Sequence, residues 1–392
     1  MSDFNNHIVI DNGSHSLKVG FNAENAPRFL INSVVGKIKN DSTNYMLDSD
    51  SIFIGNECYQ NADFLNLNYP LTKIEPDFND LEEIWKYALF NKLKISPESH
   101  NIFLTENSIS NIKNREKMAQ IMFETFNVFN IHIEPQGSLS LFSTAKNTGL
   151  VIESDHLGTD IIPIYEKYIV SNAVRHSNLG GLEMTKQFEK SLKSRLPFKT
   201  TTSCTLETAR IIKENYIKLL PENELTEILD PYQMNILEIN SNLIKQNKET
   251  FEYFTLPDGN KIEVGNERFI IPYSLFYPEL IEKDEKGLDE LIAESILNCD
   301  INIRKEMAMN IIIFGGNSLI ENFAEVLKKQ VEKRLGKQYQ GIVKISGNKD
   351  RKYAVWTGSS VVCSNNNFQY VWVSKNDYED FGISAFQRNF IF

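Results

Sequence analysis

The sequence predicts an α/β protein built from two related halves, and three observations support this. The chain has 392 residues, more than a single hydrophobic core usually organises, so two lobes are expected. Strand and helix signals alternate through the first third of the chain. One unit also occurs twice, at 8–21 and at 150–165: an apolar strand, an acid at its end, a polar turn and a returning strand. Two such halves would clasp a ligand between their turns.

The first copy carries the strongest chemical signal. Asn12-Gly13 predicts a tight hairpin turn. The backbone N–H groups of such a turn and the Ser14 hydroxyl can contact anionic oxygens. Lys18 adds positive charge, and Asp11 at the strand end can hold a hydrated Mg²⁺. Taken alone, the same pattern also fits an ordinary structural turn.

Composition narrows the function classes. The chain is 41% hydrophobic and 24% charged, and its net charge of −11 argues against a nucleic-acid surface built on bulk charge. It has no apolar run near the roughly 20 residues that span a bilayer, and no signal-peptide pattern. The cysteines form no CxxC or Cys/His cluster, so we expect free thiols in the cytosol or nucleus and no zinc site. They are Cys58, Cys204, Cys299 and Cys363.

Hydrophobic periodicity and turn residues predict the other elements. Strands are expected at 52–55, 102–105, 131–133 and 311–314, and a hairpin turn at 256–260. Helices are expected at 80–93, 115–126, 136–145, 183–193, 205–220 and 319–335. The stretch 221–248 has no clear caps and is expected to be an inserted, mobile excursion.

Five segments, in order, resemble the actin family over essentially the whole chain. They are DNGS at 11–14, REKMAQIMFETFN at 115–127, LPDG at 256–259 with GNERF at 265–269, RKY at 351–353 with Trp356, and WVSK at 372–375. The resemblance implies a two-lobed actin-like ATPase fold, in which duplicated ribonuclease H-like domains surround a nucleotide cleft with ATP and Mg²⁺.

The same resemblance implies a division into lobes. The small lobe would comprise 1–143 and 353–392, with subdomain 2 at about 33–69. The large lobe would comprise 144–352, with subdomain 4 at about 180–283 and an insertion within 220–255. The chain would cross between the lobes near 136–143 and near Lys352.

Site residues follow from the resemblance by position. Gly13, Ser14 and Lys18 would hold the phosphates, while Asp11 and Glu153 would lie beside the Mg²⁺ ion. The nucleoside would be held by Gly181, Arg210, Lys213, Glu214, Gly315, Gly316 and Lys352. The residues at the hydrolytic positions are Gln136, Glu153 and Asp160.

The second phosphate loop departs from the family. Where the family has DSGDGVTH, this chain has ESDHLGTD at 153–160, so two turn glycines become Asp155 and Leu157, and Gly158 is expected to restore one flexible position. Asp155 brings negative charge towards a polyphosphate, and two unit charges about 4 Å apart interact by roughly 4 kcal/mol at an effective dielectric of 20. His15 and His156 are interpreted as solvated loop histidines, or as partial compensation for Asp155.

The hydrolytic positions also change. Gln136 is retained, but Glu153 is one methylene longer than the family's aspartate, and Asp160 replaces a histidine. Positioning dominates phosphoryl transfer, and a displacement of about 1 Å can cost on the order of a hundredfold in rate. We therefore expect slow or absent turnover.

The segments that would make polymer contacts have changed as well. The loop 40–50 is more polar and acidic than the family's filament loop, and the plug segment 280–286 is charged. Lys73 replaces a histidine, and 220–255 is longer than in the family. Poor polymerisation of the pure chain is expected, and drift in a redundant copy is the alternative explanation.

The leading functional hypothesis is a divergent cytoskeletal, cytoplasmic member of this family. It would bind ATP and act with actin or actin-related subunits and actin-binding proteins, without direct nucleic-acid contact. A nuclear chromatin-remodelling subunit is the second hypothesis. A sugar or acetate kinase is the third, disfavoured because the segment 115–127 is specific to the family. The sequence leaves open whether ATP is hydrolysed, whether the chain polymerises alone and which complex it enters.

Overall fold

The structure, a computed structural model, describes residues 6–39, 51–72, 75–193, 202–225, 251–256, 259, 261–365 and 371–387. The chain divides into two compact units. The first comprises Met1–Asn147, Glu166–Tyr168 and Lys352–Phe392, and the second comprises Thr148–Tyr165 and Ile169–Arg351. The lobe and subdomain boundaries expected from the sequence remain predictions. The loop 40–50, Lys73, the pair 257–258 and most of the expected insertion lie outside the described residues.

The strands are β1 Ile8–Asp11, β2 Ser16–Phe21, β3 Phe29–Asn32, β4 Val35–Ile38, β5 Ile52–Ile54, β6 Leu65–Asn68, β7 Asn101–Glu106, β8 Asn130–Pro135, β9 Gly149–Ser154, β10 Thr159–Tyr165, β11 Tyr168–Ile169, β12 Arg175–Ser177, β13 Glu252–Thr255, β14 Lys261–Val264, β15 Ile311–Phe314, β16 Ile345–Ser346 and β17 Val373–Ser374.

The α-helices are α1 Asn56–Gln60, α2 Phe78–Lys86, α3 Ile112–Gln120, α4 Gln136–Phe142, α5 Gly181–Leu192, α6 Thr202–Tyr216, α7 Glu222–Leu225, α8 Glu267–Ile270, α9 Leu288–Asn298, α10 Arg304–Met309, α11 Phe323–Leu335, α12 Ala354–Cys363, α13 Lys375–Phe381 and α14 Ser384–Gln387. Tyr87–Leu93 and Ile121–Thr125 continue α2 and α3 as π-helical turns.

The main sheets of the two units share one pattern of strand pairing. In the first unit, β1 pairs antiparallel with β2 and parallel with β7, and β7 pairs parallel with β8. In the second unit, β9 pairs antiparallel with β10 and parallel with β15, and β15 pairs parallel with β16. Each sheet therefore contains one hairpin followed by two parallel strands. This confirms the α/β fold with a repeated hairpin unit that the sequence predicts.

Each unit has its own hydrophobic core. Residues of β1, β7 and β8 and the apolar side of α2 and α3 form the core of the first unit, in which Trp85 is fully buried. The second core gathers β9 and β15 with α5, α9 and α11, and Phe188 is fully buried there. Burial of an aromatic side chain of this kind contributes about 1.5–3 kcal/mol. The cores hold the strand ends that carry the polar residues discussed below.

Helix ends differ from the sequence expectations for local reasons. The helix expected at 115–126 begins three residues earlier, because Asn111 accepts the N–H of Lys113 and caps α3. The helix expected at 319–335 begins at Phe323, since Gly316–Leu319 forms a 3₁₀ turn. The helices expected at 80–93, 136–145, 183–193 and 205–220 correspond, in this order, to α2 with its π-helical turn, α4, α5 and α6.

A buried ionic cluster joins α3 to the sheet of the first unit. Arg115 forms an ion pair with Glu106, and both side chains are less than a tenth exposed. Burial lowers the pKa of Arg115, and the charge of Glu134 opposes that shift. Glu134 also lies 2.9 Å from Nε2 of His132. Arg115 is therefore the cation that two buried carboxylates share.

Replacing Arg115 with methionine should lower the stability of the first unit by about 3–5 kcal/mol, because it leaves buried carboxylates without their cation. All three tryptophans lie in this unit, so urea unfolding followed by tryptophan fluorescence reports on it. Lys113→Met removes an exposed positive charge from the same helix and serves as the control. Equal losses in the two variants would contradict the role of Arg115.

Candidate functional site

Asp11 is the centre of the first hairpin end. Its side chain is 1% exposed, and Lys18 lies opposite it across the hairpin, with Nζ 2.7 Å from Oδ2. The Thr105 hydroxyl and the Gln136 amide both donate to Oδ1, at 2.9 and 3.0 Å. Three donors thus hold one buried carboxylate in a single orientation.

Strand topology explains why these donors meet. β1 and β7 are parallel neighbours, as are β7 and β8, so their carboxyl ends lie at one edge of the sheet. Thr105 stands near the end of β7, and Gln136 begins α4 directly after β8. The Asn12 side chain donates to the Thr105 carbonyl and accepts from Trp85 Nε1, both at 2.9 Å. These bonds fix the turn to the edge of the sheet.

The turn itself offers donors to a ligand. A Cβ on Gly13 would lie 2.4 Å from the Ser16 carbonyl oxygen and 3.1 Å from Lys18 Nζ, so this position requires glycine. Ser14 is partly exposed, and the described part of the chain provides no hydrogen bond to its hydroxyl. Ser14 and Lys18 therefore form a small cationic cradle of the kind that binds phosphate.

The surroundings of Asp11 fit a hydrated cation. A carboxylate has about four lone-pair sites, and the three donors leave room for a water molecule of a hydrated Mg²⁺. The described residues contain no group of three or more His, Cys, Asp or Glu side chains that could hold a metal. The chemistry suits a cation bound through water and substrate oxygens.

The second hairpin end is arranged differently. Glu153 and Asp160 lie directly opposite each other on β9 and β10, and both are buried. Directly opposed residues of an antiparallel pair share a face, and like charges there are destabilising. The next strand, β12, places His176 opposite Asp160, with Nδ1 2.5 Å from Oδ1. His176 on the neighbouring strand is thus a hydrogen-bond partner of Asp160.

A tight turn at 155–158 connects β9 and β10. The Asp155 N–H donates to the Gly158 carbonyl oxygen at 2.9 Å. Gly158 does not have a positive φ. Glycine is needed there for close approach, because a Cβ would lie 2.5 Å from the Ser177 carbonyl oxygen and 3.1 Å from Cε1 of His176.

Asp155 links this turn to two other segments. Its carbonyl oxygen accepts the Gly181 N–H and the Asn317 side-chain amide, both at 2.8 Å. A Cβ on Gly315, where φ is +84°, would lie 2.6 Å from Asp155 Oδ1. The structure therefore brings together the turn, the start of α5 and the glycine pair after β15. Gly316 faces open space.

Lys213 joins the same group from α6. Its Nζ donates to the Gly181 carbonyl oxygen at 2.8 Å, and the residue is 6% exposed. Burial lowers the pKa of Lys213 to about 8, against an opposing effect of Glu214. A buried amine has three donors, and one of them is used by the Gly181 carbonyl oxygen. Such an amine suits the hydroxyls of a nucleoside.

The remaining predicted residues are not part of this group. Arg210 forms ion pairs with Glu207 and Glu214 on its own helix, and its pKa is raised chiefly by the hydrogen bonds that it donates to Glu207. Glu214 itself is exposed. Lys352 is exposed and belongs to the first unit.

A family model described as Actin matches residues 2–391. The chain belongs to the actin family. The two-lobed actin-like fold expected from the sequence follows from this membership together with the repeated sheets. The first hairpin end fits the polyphosphate and Mg²⁺ that actin-family members generally bind. The second loop fits less well, since Asp155 replaces a turn glycine of the actin pattern and its N–H is already used.

The described helices include none long and apolar enough to cross a membrane. Of the four cysteines, Cys58, Cys299 and Cys363 are buried free thiols, and the side chain of Cys204 lies outside the described residues. Burial raises the pKa of the Cys58 thiol to about 12.

Sequence reasoning missed Thr105, Asn317 and His176. Thr105 ends a predicted strand, and Asn317 follows the predicted glycine pair, so parallel pairing of the strands would have placed both near the site. His176 gave no such signal. It lies in a three-residue polar strand, Arg175–Ser177, whose position depends on pairing with β10.

The pH dependence of stability should reveal the buried Lys213. Its pKa is about 8 in the folded chain and 10.5 for an ordinary lysine. Between these values the unfolded chain binds more protons, so stability rises with pH. Relative to Lys213→Met, the wild type should gain stability from pH 8 to pH 10.5 in urea unfolding followed by circular dichroism. Parallel pH profiles would show that Lys213 is not buried in this way.

Proposed function

We propose that this chain is a divergent actin-family protein that binds ATP with Mg²⁺ and acts through protein contacts. It would serve the cytoskeleton in the cytoplasm as a component of a filament or complex, with slow or absent ATP hydrolysis. The observation that carries the proposal is the buried Asp11, held by Lys18, Thr105 and Gln136. A nuclear complex is the alternative, and the location of a tagged copy separates the two.

ATP binding is supported first by the donors of the first hairpin end. In the first unit, Ser14 and Lys18 would hold phosphate oxygens, and Asp11 would hold the water shell of Mg²⁺. Within the second unit, Lys213 and the Gly181 backbone are polar groups of the kind that hold a nucleoside. The cation would neutralise phosphate charge, which lowers the cost of placing a polyphosphate beside carboxylates.

Slow hydrolysis is supported by the second hairpin end. The actin family has a histidine at 160, whereas here the Asp160 carboxylate is engaged with His176. Asp155 adds negative charge to the adjacent turn, and Glu153 is longer than the family's aspartate. These changes disturb the positioning on which phosphoryl transfer depends.

The charged plug segment, 280–286, is paired within its own unit. Lys283 lies 3.1 Å from Glu183, Lys286 pairs with Glu294, and Glu285 accepts the Asn178 N–H at 3.1 Å. Exposed pairs contribute about 0–1 kcal/mol each, but several would have to break before the segment could insert into another subunit.

ATP binding is tested by thermal shift. Mg-ATP at about 100 times its Kd should stabilise the chain by roughly 2.7 kcal/mol. Ser14→Ala should leave the free protein unchanged and weaken binding by about 1 kcal/mol, the value of one hydrogen bond. Ser96→Ala, at an exposed position, is the control. Absence of a shift at millimolar Mg-ATP would refute nucleotide binding, and an equal shift in both variants would remove Ser14 from the site.

The pure chain should polymerise poorly. Its plug segment is held by internal ion pairs, and a net charge of −11 adds repulsion between copies that salt screens beyond about 8–10 Å. Sedimentation at micromolar concentration in polymerising salt with Mg-ATP should leave the chain in the supernatant. Long filaments of the pure chain would refute this prediction, and co-sedimentation only with conventional actin or a related subunit would support it.

A further inference from the structure

His132 lies between the main sheet of the first unit and the segment 371–387, which contains β17, α13 and α14. On β8 it stands directly opposite Phe103 of β7, and it is 3% exposed. Its Nε2 lies 2.9 Å from Oε2 of Glu134, two residues along the same strand and on the same face. Its Nδ1 lies 3.2 Å from the carbonyl oxygen of Val371. Both ring nitrogens therefore face an oxygen atom.

These two contacts need more protons than a neutral imidazole has. A carbonyl oxygen and an ionised carboxylate can only accept hydrogen bonds. A neutral ring carries one N–H, so it can donate to Val371 or to Glu134, and its other nitrogen would then turn a lone pair towards an oxygen. A further proton between Nε2 and Oε2 removes this conflict. Because imidazole is a stronger base than a carboxylate, that proton belongs on Nε2.

The charges around the pair point to the same proton. Glu134 acts on the buried ionic cluster of Glu106 and Arg115, and all of these side chains are less than a tenth exposed. Arg115 gives one positive charge against two carboxylates. A doubly protonated His132 supplies the second positive charge, so the four buried side chains together carry no net charge. An uncompensated charge at this depth would be costly.

The groups on the neighbouring elements were compared with this cluster. The helices α4 and α12 pack on the same face of the sheet, and their one titratable residue is Cys363, a thiol whose pKa is raised by burial. His7 precedes β1, and burial lowers its pKa, which favours the neutral ring. Asp11, two strands away, has Lys18 as its cation. The balance of the cluster therefore depends on the protonation of His132.

We propose that His132 is a proton-dependent link that holds the segment 371–387 on the main sheet of the first unit. With both nitrogens protonated, the ring donates to Glu134 and to the Val371 carbonyl oxygen. When one proton is lost, the remaining N–H stays with the carboxylate, because an ionised acceptor forms the stronger hydrogen bond. The bond to Val371 is then lost. The folded chain holds this proton more tightly than the unfolded chain, so the link is complete at lower pH and weakens as the pH rises.

The position of Val371 makes this bond important for the segment. Val371 stands two residues before the first residue of β17, and β17 pairs with β8 at two positions. Further along, the exposed Lys375 donates to Asn127 at 2.9 Å, and exposed contacts of this kind contribute little. Loss of the bond from His132 should therefore loosen the start of β17.

The first test examines the ring in the full chain without nucleotide. With ¹⁵N-labelled histidine at about pH 8, well above the pKa of about 6.5 of an ordinary histidine, His132 should show two protonated ring nitrogens. Its signals are assigned by their loss in His132→Gln. In Glu134→Gln the side-chain amide can donate to Nε2, so the ring should carry one proton, on Nδ1. A wild-type His132 with a single ring proton at this pH would overturn the proposal.

The second test follows the segment by hydrogen exchange, corrected for the intrinsic pH dependence of exchange. Protection of 371–387 in the wild type should fall by about tenfold as the ring releases its proton, the size expected for one hydrogen bond. Glu134→Gln should keep its protection over the same pH range, since its amide and a neutral ring satisfy both contacts. Glu98→Gln, at an exposed position in the same unit, is the control and should behave as the wild type.

The strand 101–106 of the same sheet is the internal reference, and its protection should stay constant. A parallel loss of protection there would mean general unfolding and would overturn the proposal. Protection of 371–387 that is independent of pH in the wild type, or that falls equally in the wild type and Glu134→Gln, would also overturn it. None of these measurements involves a nucleotide, so their outcome is separate from that of the proposed ATP binding.

Discussion

The buried acid at the end of each hairpin is the constraint on which the polar residues around that hairpin depend. An ionised carboxylate in a strand edge is costly unless hydrogen bonds and an opposite charge compensate it. In the first unit Lys18 lies opposite Asp11, and Thr105 and Gln136 complete its shell. In the second unit the residue opposite Glu153 is another acid, Asp160, and His176 on the next strand compensates this second carboxylate.

This difference relates several of the substitutions by which the chain departs from the actin pattern. With aspartate at 160, the histidine on β12 is needed to hold the carboxylate, and Gly158 is needed so that β12 can approach the turn. The charged plug segment contributes to the same arrangement, because Glu285 accepts the N–H of Asn178, two residues after His176. Substitutions that look independent in the sequence therefore meet around one short strand. A segment occupied in this way within its own unit is less available to another subunit.

Much of the fold and the residues of the first hairpin end can be predicted from the sequence, for physical reasons. The hairpin at 8–21 has strict alternation, a strong turn dipeptide and complementary charges, all of which are local signals. Non-local features are harder to predict. Thr105 reaches Asp11 only through parallel pairing, and Arg175–Ser177 forms a strand only because β10 supplies its partner. Helix starts such as Ile112 and Phe323 depend on caps and short turns that periodicity does not detect.

The most direct test of the central claim is a double-mutant cycle between Asp160 and His176 in the nucleotide-free protein. Unfolding free energies of the wild type, Asp160→Asn, His176→Ala and the double variant would be measured in urea by circular dichroism. If His176 compensates the buried carboxylate, the two losses should be coupled by about 0.5–3 kcal/mol, as for residues in contact. Losses that add to within about 0.3 kcal/mol would show that the acid at 160 is compensated elsewhere and would contradict the account.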